Sequence, residues 1–259
     1  MSDKSFVDVR TEGRACVITL KREEKLNALS TEVEKQIAAA LEGEEVGKTS
    51  VVVLTGSGKA FSAGADINEF REATPGAILE YYKETGEVYE TIARLPQPVI
   101  AAISGWCLGG GFELAMAADL RIADDSAEFG LPETGIGIIP SSGGTHRLVR
   151  LAGPARAKEL ILLGKRFGAR EALDWGLVNE VVERGAALTR ALDIAKELAE
   201  MPPLALQVAK QAVDAMSDSS REAGVLIERL AYGTLAQTED AQEAAAAFTE
   251  KRDPKFKGR

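Results

Sequence analysis

Two glutamates and two glycine-containing turns carry most of the chemical potential of this sequence. In Leu108-Gly109-Gly110-Gly111-Phe112-Glu113, Glu113 follows a glycine triplet in the first turn of a predicted helix, where the dipole favours an ionised carboxylate. Glu133 stands in FGLPE beside Phe129, Leu131 and Ile136, a setting whose desolvation raises a carboxyl pKa and keeps the proton on. Two close carboxylates rarely both ionise, so one base and one acid around a single water is the division of labour they suggest. A second turn, Phe61-Ser62-Ala63-Gly64-Ala65-Asp66, also follows a buried run and precedes a helix. Glycine lets a ligand approach the main chain, and the unpaired N–H groups of a helix N-terminus attract negative charge. Side by side, two such turns would form an oxyanion hole; on glycine content alone both are equally ordinary strand-to-helix turns.

Other chemistries are poorly provided for. The chain of 259 residues has one histidine, His146, and two cysteines, Cys16 and Cys107, without CxxC or HExxH spacing, so no metal centre is expected. Gly56-Ser57-Gly58-Lys59 imitates a P-loop but is followed by Ala60, and Gly135-Ile136-Gly137 runs into Pro140 where a dinucleotide fingerprint needs glycine. Ser141 and Ser142 lie near His146, yet no GxSxG elbow surrounds either. A formal charge of −9 disfavours nucleic acid and anionic membrane as partners, which call for a cationic surface. No apolar run approaches the roughly 18 residues of a membrane span. The N-terminus has no apolar signal core, and two unmatched cysteines suit a reducing compartment, so the expected location is cytoplasmic.

The elements that must position these residues alternate. Phe6 to Arg10 and Ala15 to Leu20 read as a hairpin, and Thr31 with Glu34 reads as a capping box opening a helix to Leu41. Ser50 to Thr55 and Val99 to Ser104 are continuous apolar runs of buried parallel strands. Helices are expected over Asp66 to Glu72, Ala77 to Leu95 and Phe112 to Ala118, with short strands at Leu120 to Ala123 and Ala127 to Gly130. Beyond Ser141 the pattern is helical apart from a strand-like stretch at Leu177 to Val182. Pro202-Pro203 marks a joint, dividing a core over 1–200 from a helical appendage over 201–259.

Over nearly its whole length the sequence resembles the enoyl-CoA hydratase/isomerase (crotonase) family. The resemblance rests on KLNALS (25–30), AFSAGADI (60–67), PVIAAISGWCLGGGFELAMAADLRIA (98–123), FGLPETGIGIIPSSGGTHRL (129–148), GLVNEVV (176–182) and FTEKRDPKFKGR (248–259). It implies an α/β fold, a crotonase (ClpP-like) spiral of repeated strand–strand–helix units, with a C-terminal helical region that builds a homotrimer or a homohexamer of two trimers. It implies an acyl-CoA thioester as substrate and no separate cofactor, CoA being part of the substrate. Carried over by motif, Ala65 and Gly110 supply the N–H groups that hold the thioester oxygen, Glu113 is the base and Glu133 the acid. Lys25, Leu26 and Ala28 line the CoA nucleotide; Ala63, Asp66, Ile67 and Gly109 flank the pantetheine and thioester; Phe248 and Lys251 cover CoA, in some relatives from a neighbouring subunit. The resemblance thus points to reversible hydration of a trans-2-enoyl-CoA. The nearest rival is a double-bond isomerase of the same family, which manages with one carboxylate; a non-catalytic RNA-binding or scaffolding relative is disfavoured by the glutamates of 77–95. Glu23 and Ser141 stand where relatives often have proline and glycine, and Trp106 and Cys107 fall in variable positions, so substrate choice stays open.

Overall fold

A computed structural model describes residues 4–70, 74, 76–77, 81 and 86–259. Along the described chain the strands are β1 (Val7–Glu12), β2 (Ala15–Leu20), β3 (Val51–Gly56), β4 (Ala60–Ser62), β5 (Val99–Ile103), β6 (Trp106–Leu108), β7 (Leu120–Asp124), β8 (Glu128–Gly130), β9 (Phe167–Gly168) and β10 (Glu180–Val182). They form a six-stranded sheet, β1-β2-β3-β5-β7-β10, and a four-stranded sheet, β4-β6-β8-β9. Only β1 with β2, and β8 with β9, pair antiparallel; β2, β3, β5, β7 and β10 run parallel, as do β4, β6 and β8.

From β3 to β8, successive strands alternate between the sheets. β3 lies in the large sheet and β4 in the small one, followed by the helix Ile67–Phe70; β5 and β6 repeat this before the helix Gly110–Ala117; β7 and β8 repeat it before a 3-10 turn at Glu133–Ile136 and the helix Gly144–Leu163. The expected strand–strand–helix spiral is therefore present, although no internal sequence repeat announces it. Its central strands are apolar throughout because both faces are covered. On one face the helix Ala187–Ala199 lays Ala187, Ala191 and Ala195, a four-residue period, against Val17, Val51, Val53, Ile100 and Ile122. On the other, helices Thr31–Leu41, Val88–Arg94 and Gly110–Ala117 bury Val33, Ile37, Ile92 and Phe112 in the main core. Phe112, Phe129 and Phe167 meet with ring centroids 5.2–5.8 Å apart, fixing the glutamate-bearing helix to β8 and β9.

Several expectations are corrected. The cap of the helix Thr31–Leu41 is Ser30, whose hydroxyl accepts from the Val33 amide, and Glu34 is buried, taking hydroxyl hydrogen bonds from Tyr89 (2.9 Å) and Tyr81 (2.5 Å). The strand expected over Leu177 to Val182 is confined to Glu180–Val182, because Leu177 and Val178 close the preceding helix by donating to the Ala172 carbonyl. Of the helix expected over 77–95, Val88–Arg94 is seen; residues 78–80 and 82–85 lie outside the described ones, as do 71–72 of the helix expected over 66–72. After Pro202 the chain forms helices Pro203–Met216, Arg221–Leu235 and Glu239–Glu250. Lys210 ties the first of these to the core, its ammonium 2.9 Å from the Asp119 carboxylate.

Candidate active site

Three turns leave the same end of the small sheet, one after each of β4, β6 and β8, and bring the sequence candidates together. After β4 the chain turns through Ala63, Gly64 and Ala65. Gly64 has φ +95°, and a side chain there would lie 2.8 Å from the Leu108 carbonyl and 3.3 Å from the Gly110 nitrogen, so only glycine permits this approach of the first turn to the second. After β6, Gly109 (φ +51°) starts the helix Gly110–Ala117. The Ala65 nitrogen is 3.6 Å from where a Gly110 side chain would begin. Among the described residues neither the Ala65 nor the Gly110 N–H is donated to a loop or turn carbonyl, and Gly110, first residue of its helix, has no intrahelical acceptor. Two neighbouring amides thus stand without a carbonyl acceptor among the described residues.

The glutamates flank these donors. Glu113, in the first turn of the same helix, is 3% exposed. Its Oε1 accepts from the backbone amides of Ser142 and Gly144, each at 2.8 Å. Glu133 opens the 3-10 turn after β8, and its Oε1 lies 2.9 Å from where a Gly109 side chain would stand, over the glycine turn itself. Its Oε2 is buried with no hydrogen-bond partner among the described residues, a polar atom of the kind that ordinarily finds water or ligand.

Burial and hydrogen bonding set the two apart. Glu133 is pushed up to about 7, by burial first and then by the charge of Glu113, against the backbone hydrogen bond that lowers it. Glu113 is also raised, which corrects the expectation of a carboxylate simply favoured by the helix dipole: desolvation outweighs the amides of Gly144, Ser142 and Ser141 and the Arg147 charge that oppose it. Glu113 has several such opposing groups where Glu133 has a single backbone hydrogen bond, so burial is left less opposed at Glu133.

The remaining candidates divide. Leu26 and Ala28 lie in a turn laced onto the first glycine turn: Ala63 N–H donates to Leu26 O, Leu29 N–H to Gly64 O and Asp66 N–H to Leu29 O. Lys25 is exposed on this turn, and Leu26 and Ile67, 39% and 61% exposed, form apolar lips beside Ala65. Asp66, next to Ala65, is engaged within the chain. It is buried and paired with Arg22 at 2.9 Å, and accepts from Asn68 as well, which lowers its pKa although burial, the largest influence, opposes this. Phe248 is 87% exposed near the end of the last helix, and Lys251 follows it in the left-handed conformation.

Sequence reasoning missed the supports. Arg22 joins Asp66 to the Ala28 carbonyl. Asn27, left-handed at φ +56° and buried, donates through Nδ2 to the Ser57 and Ala60 carbonyls and accepts from the Arg22 amide. The one legible signal was the asparagine of KLNALS, a residue that tolerates the left-handed region. Ser142 was read for its hydroxyl; the group that contributes is its amide.

The sequence matches the profile of the enoyl-CoA hydratase/isomerase family over residues 10–259. It belongs to that family. It is 40% identical over 248 residues to the short-chain-enoyl-CoA hydratase of Clostridium acetobutylicum, covering 95% of each chain. It is 38% identical over 252 residues to the 2,3-dehydroadipyl-CoA hydratase of Escherichia coli, covering 97% of this chain and 98% of that one. The crystal structure of an enoyl-CoA hydratase from Bacillus anthracis superposes with a TM-score of 0.94 at 40% identity, over 98% of this chain and 100% of the other.

Proposed function

We propose that this enzyme adds water reversibly to a trans-2-enoyl-CoA, giving a 3-hydroxyacyl-CoA. The observation that carries the reading is the juxtaposition of two neighbouring backbone amides with two buried carboxyls, both raised by burial, of which Glu113 is held by backbone amides and the Arg147 charge while Glu133 reaches about 7. The thioester oxygen accepts from Ala65 and Gly110, and the negative charge that reaches it as C3 is attacked is held there; one such donor can contribute about 3 kcal/mol to the transition state. Glu113 takes a proton from the water that adds to C3, and Glu133 delivers its proton to C2, so both new bonds form on one face. In dehydration the roles reverse. Glu133 near 7 suits both directions, because a proton carrier works best close to the ambient pH.

An isomerase needs one carboxylate to move a proton between carbons; the equipment of two favours hydration. CoA enters along the turn of Lys25, Leu26 and Ala28 past Ala63 and Ile67, and the acyl chain leaves toward Ile136, Ile138 and Ile139, exposed apolar residues beside Glu133. The segment 201–259 serves self-association: Val213, Leu226, Leu230, Tyr232 and Phe248 are exposed apolar groups of its helices, more than a lone soluble chain usually presents. In a trimer or hexamer Phe248 and Lys251 cover the CoA of a neighbour. The two buried free thiols suit a reducing, cytoplasmic setting. The chemistry calls for no metal or redox cofactor.

Crotonyl-CoA with the purified enzyme tests the reaction through loss of the conjugated thioester absorbance. Glu113→Gln and Glu133→Gln should each cost about 10²–10⁴-fold in kcat. Normal turnover by the double variant refutes the proposal, and double-bond migration in a 3-enoyl-CoA without hydration transfers it to the isomerase reading.

A further inference from the structure

We propose that Arg147 is a positioning residue of this active site: by gripping the Ser142 carbonyl and Glu90 at once, it fixes the loop that aims Glu113 and so sets which glutamate acts as base. The proposal rests on the two-glutamate reading above and adds a residue that never meets the substrate. Arg147 lies in the first turn of the helix Gly144–Leu163, with its side chain 13% exposed. Its Nη1 donates to Ser142 O at 3.0 Å, and its Nη2 lies 2.5 Å from Glu90 Oε1 on the helix Val88–Arg94. The loop between is the one whose Ser142 and Gly144 amides both end on Glu113 Oε1.

The loop is shaped for this grip. Gly143 has φ +90°, and a side chain there would fall 2.0 Å from Arg147 Nη1, so the guanidinium occupies the space a larger residue would claim. Planar geometry lets one guanidinium hold two acceptors in a fixed fork, which an ammonium cannot copy. The charge also reaches Glu113, where it is one of the forces holding that carboxyl down against its burial. Among the described residues, the charged and titratable groups recorded as acting on or with Glu113 are Glu133 from the 3-10 turn, Tyr89 from the helix Val88–Arg94 and Arg147 itself. Arg147 in turn faces Glu90, which Arg94 also approaches at 3.9 Å. Of these, only Arg147 is a cation acting directly on Glu113.

The test is the pH profile of crotonyl-CoA hydration by the whole enzyme, wild type against Arg147→Gln, Arg147→Lys and Glu90→Gln, with Glu113→Gln as control. Hydration needs the pair with Glu113 ionised and Glu133 protonated, giving a bell whose limbs belong to the coupled pair. Arg147→Gln should lower kcat about 10²-fold, as a misplacement near 1 Å does, leave KM nearly unchanged, and move the acid limb up toward the alkaline one. Arg147→Lys should restore the acid limb and only part of kcat, and Glu90→Gln should fall between. An acid limb that stays in place in Arg147→Gln, or one that Arg147→Lys fails to restore, overturns the proposal. Should Arg147→Gln fail to fold, wild-type kcat and limbs in Glu90→Gln overturn it. Wild-type turnover by Glu113→Gln refutes the glutamate assignment itself, whereas an inactive Glu113→Gln beside a wild-type-like Arg147→Gln refutes only the role of Arg147.

Discussion

Gly144→Ala separates catalysis from stability more sharply than a change to either glutamate. A methyl at position 144 would stand 2.6 Å from both Cγ and Oε1 of Glu113. Ordinary contact begins near 3.4 Å, so one of the two must retreat by about 0.8 Å. The backbone of Gly144 opens a long helix and its amide is bound to Glu113 Oε1, so the side chain of Glu113 is what yields. Misplacing a reacting group by about 1 Å costs on the order of 10²-fold, or about 2.7 kcal/mol of transition-state stabilisation. Alanine is meanwhile the better helix former by about 0.8–1 kcal/mol, and Gly144 is not among the glycines with positive φ. The expected outcome is a kcat for crotonyl-CoA hydration reduced about 100-fold, with a Tm equal to or above that of the wild type. A kcat within about threefold of wild type in a folded protein would refute the claim that Glu113 must sit where the Ser142 and Gly144 amides place it.

Other outcomes follow from the same geometry. With Glu133 near 7 as the proton donor, hydration kcat/KM should fall as pH rises through about 7, and dehydration of a 3-hydroxyacyl-CoA, which needs the same singly protonated pair, should follow the same profile; a hydration kcat/KM that holds level through that range would contradict the assignment. Arg22→Met leaves Asp66 buried without its cation and frees the Ala28 carbonyl, so we expect a loss of about 2 kcal/mol, a Tm about 4–8 °C lower, and a larger rise in KM than fall in kcat. Gly111→Ala would put a methyl 2.5 Å from the Ser62 carbonyl, a backbone atom that cannot swing away, and calorimetry should register a loss of about 1–3 kcal/mol.

The parts of this site legible in the sequence are those where a chemically distinctive side chain sits beside glycine punctuation. Glu113 after the triplet and Glu133 in an apolar turn announce themselves, and the long apolar runs of β3 and β5 read directly as buried strands. The small sheet does not, because β4, β6, β8 and β9 are two or three residues long, too short for any period to register. Arg22 and Asp66 are 44 positions apart, and only the lacing of their two turns makes them a pair. The amides of Ser142 and Gly144 carry no side-chain signature, so attention fell on the hydroxyls. Tyr89 and Tyr81 claim Glu34 from a segment whose helix was expected but whose partner was not, which is why a capping box looked sufficient.

The concealed small sheet also explains why residues from three distant segments meet. Ser62 pairs with Cys107 just past a register shift in β4, and Leu108 pairs with Gly130, in parallel ladders whose neighbouring strands lie about 4.8 Å apart. Three residues beyond Ser62 comes Ala65; three beyond Cys107 comes Gly110; three beyond Gly130 comes Glu133. Three turns that leave the same end of one short sheet thus bring Ala65, Gly110 and Glu133 into one neighbourhood, and the third residue of the helix after Gly110 adds Glu113. The repeat is invisible as sequence because what recurs is a backbone path, and each pass has been free to present a different group at its end.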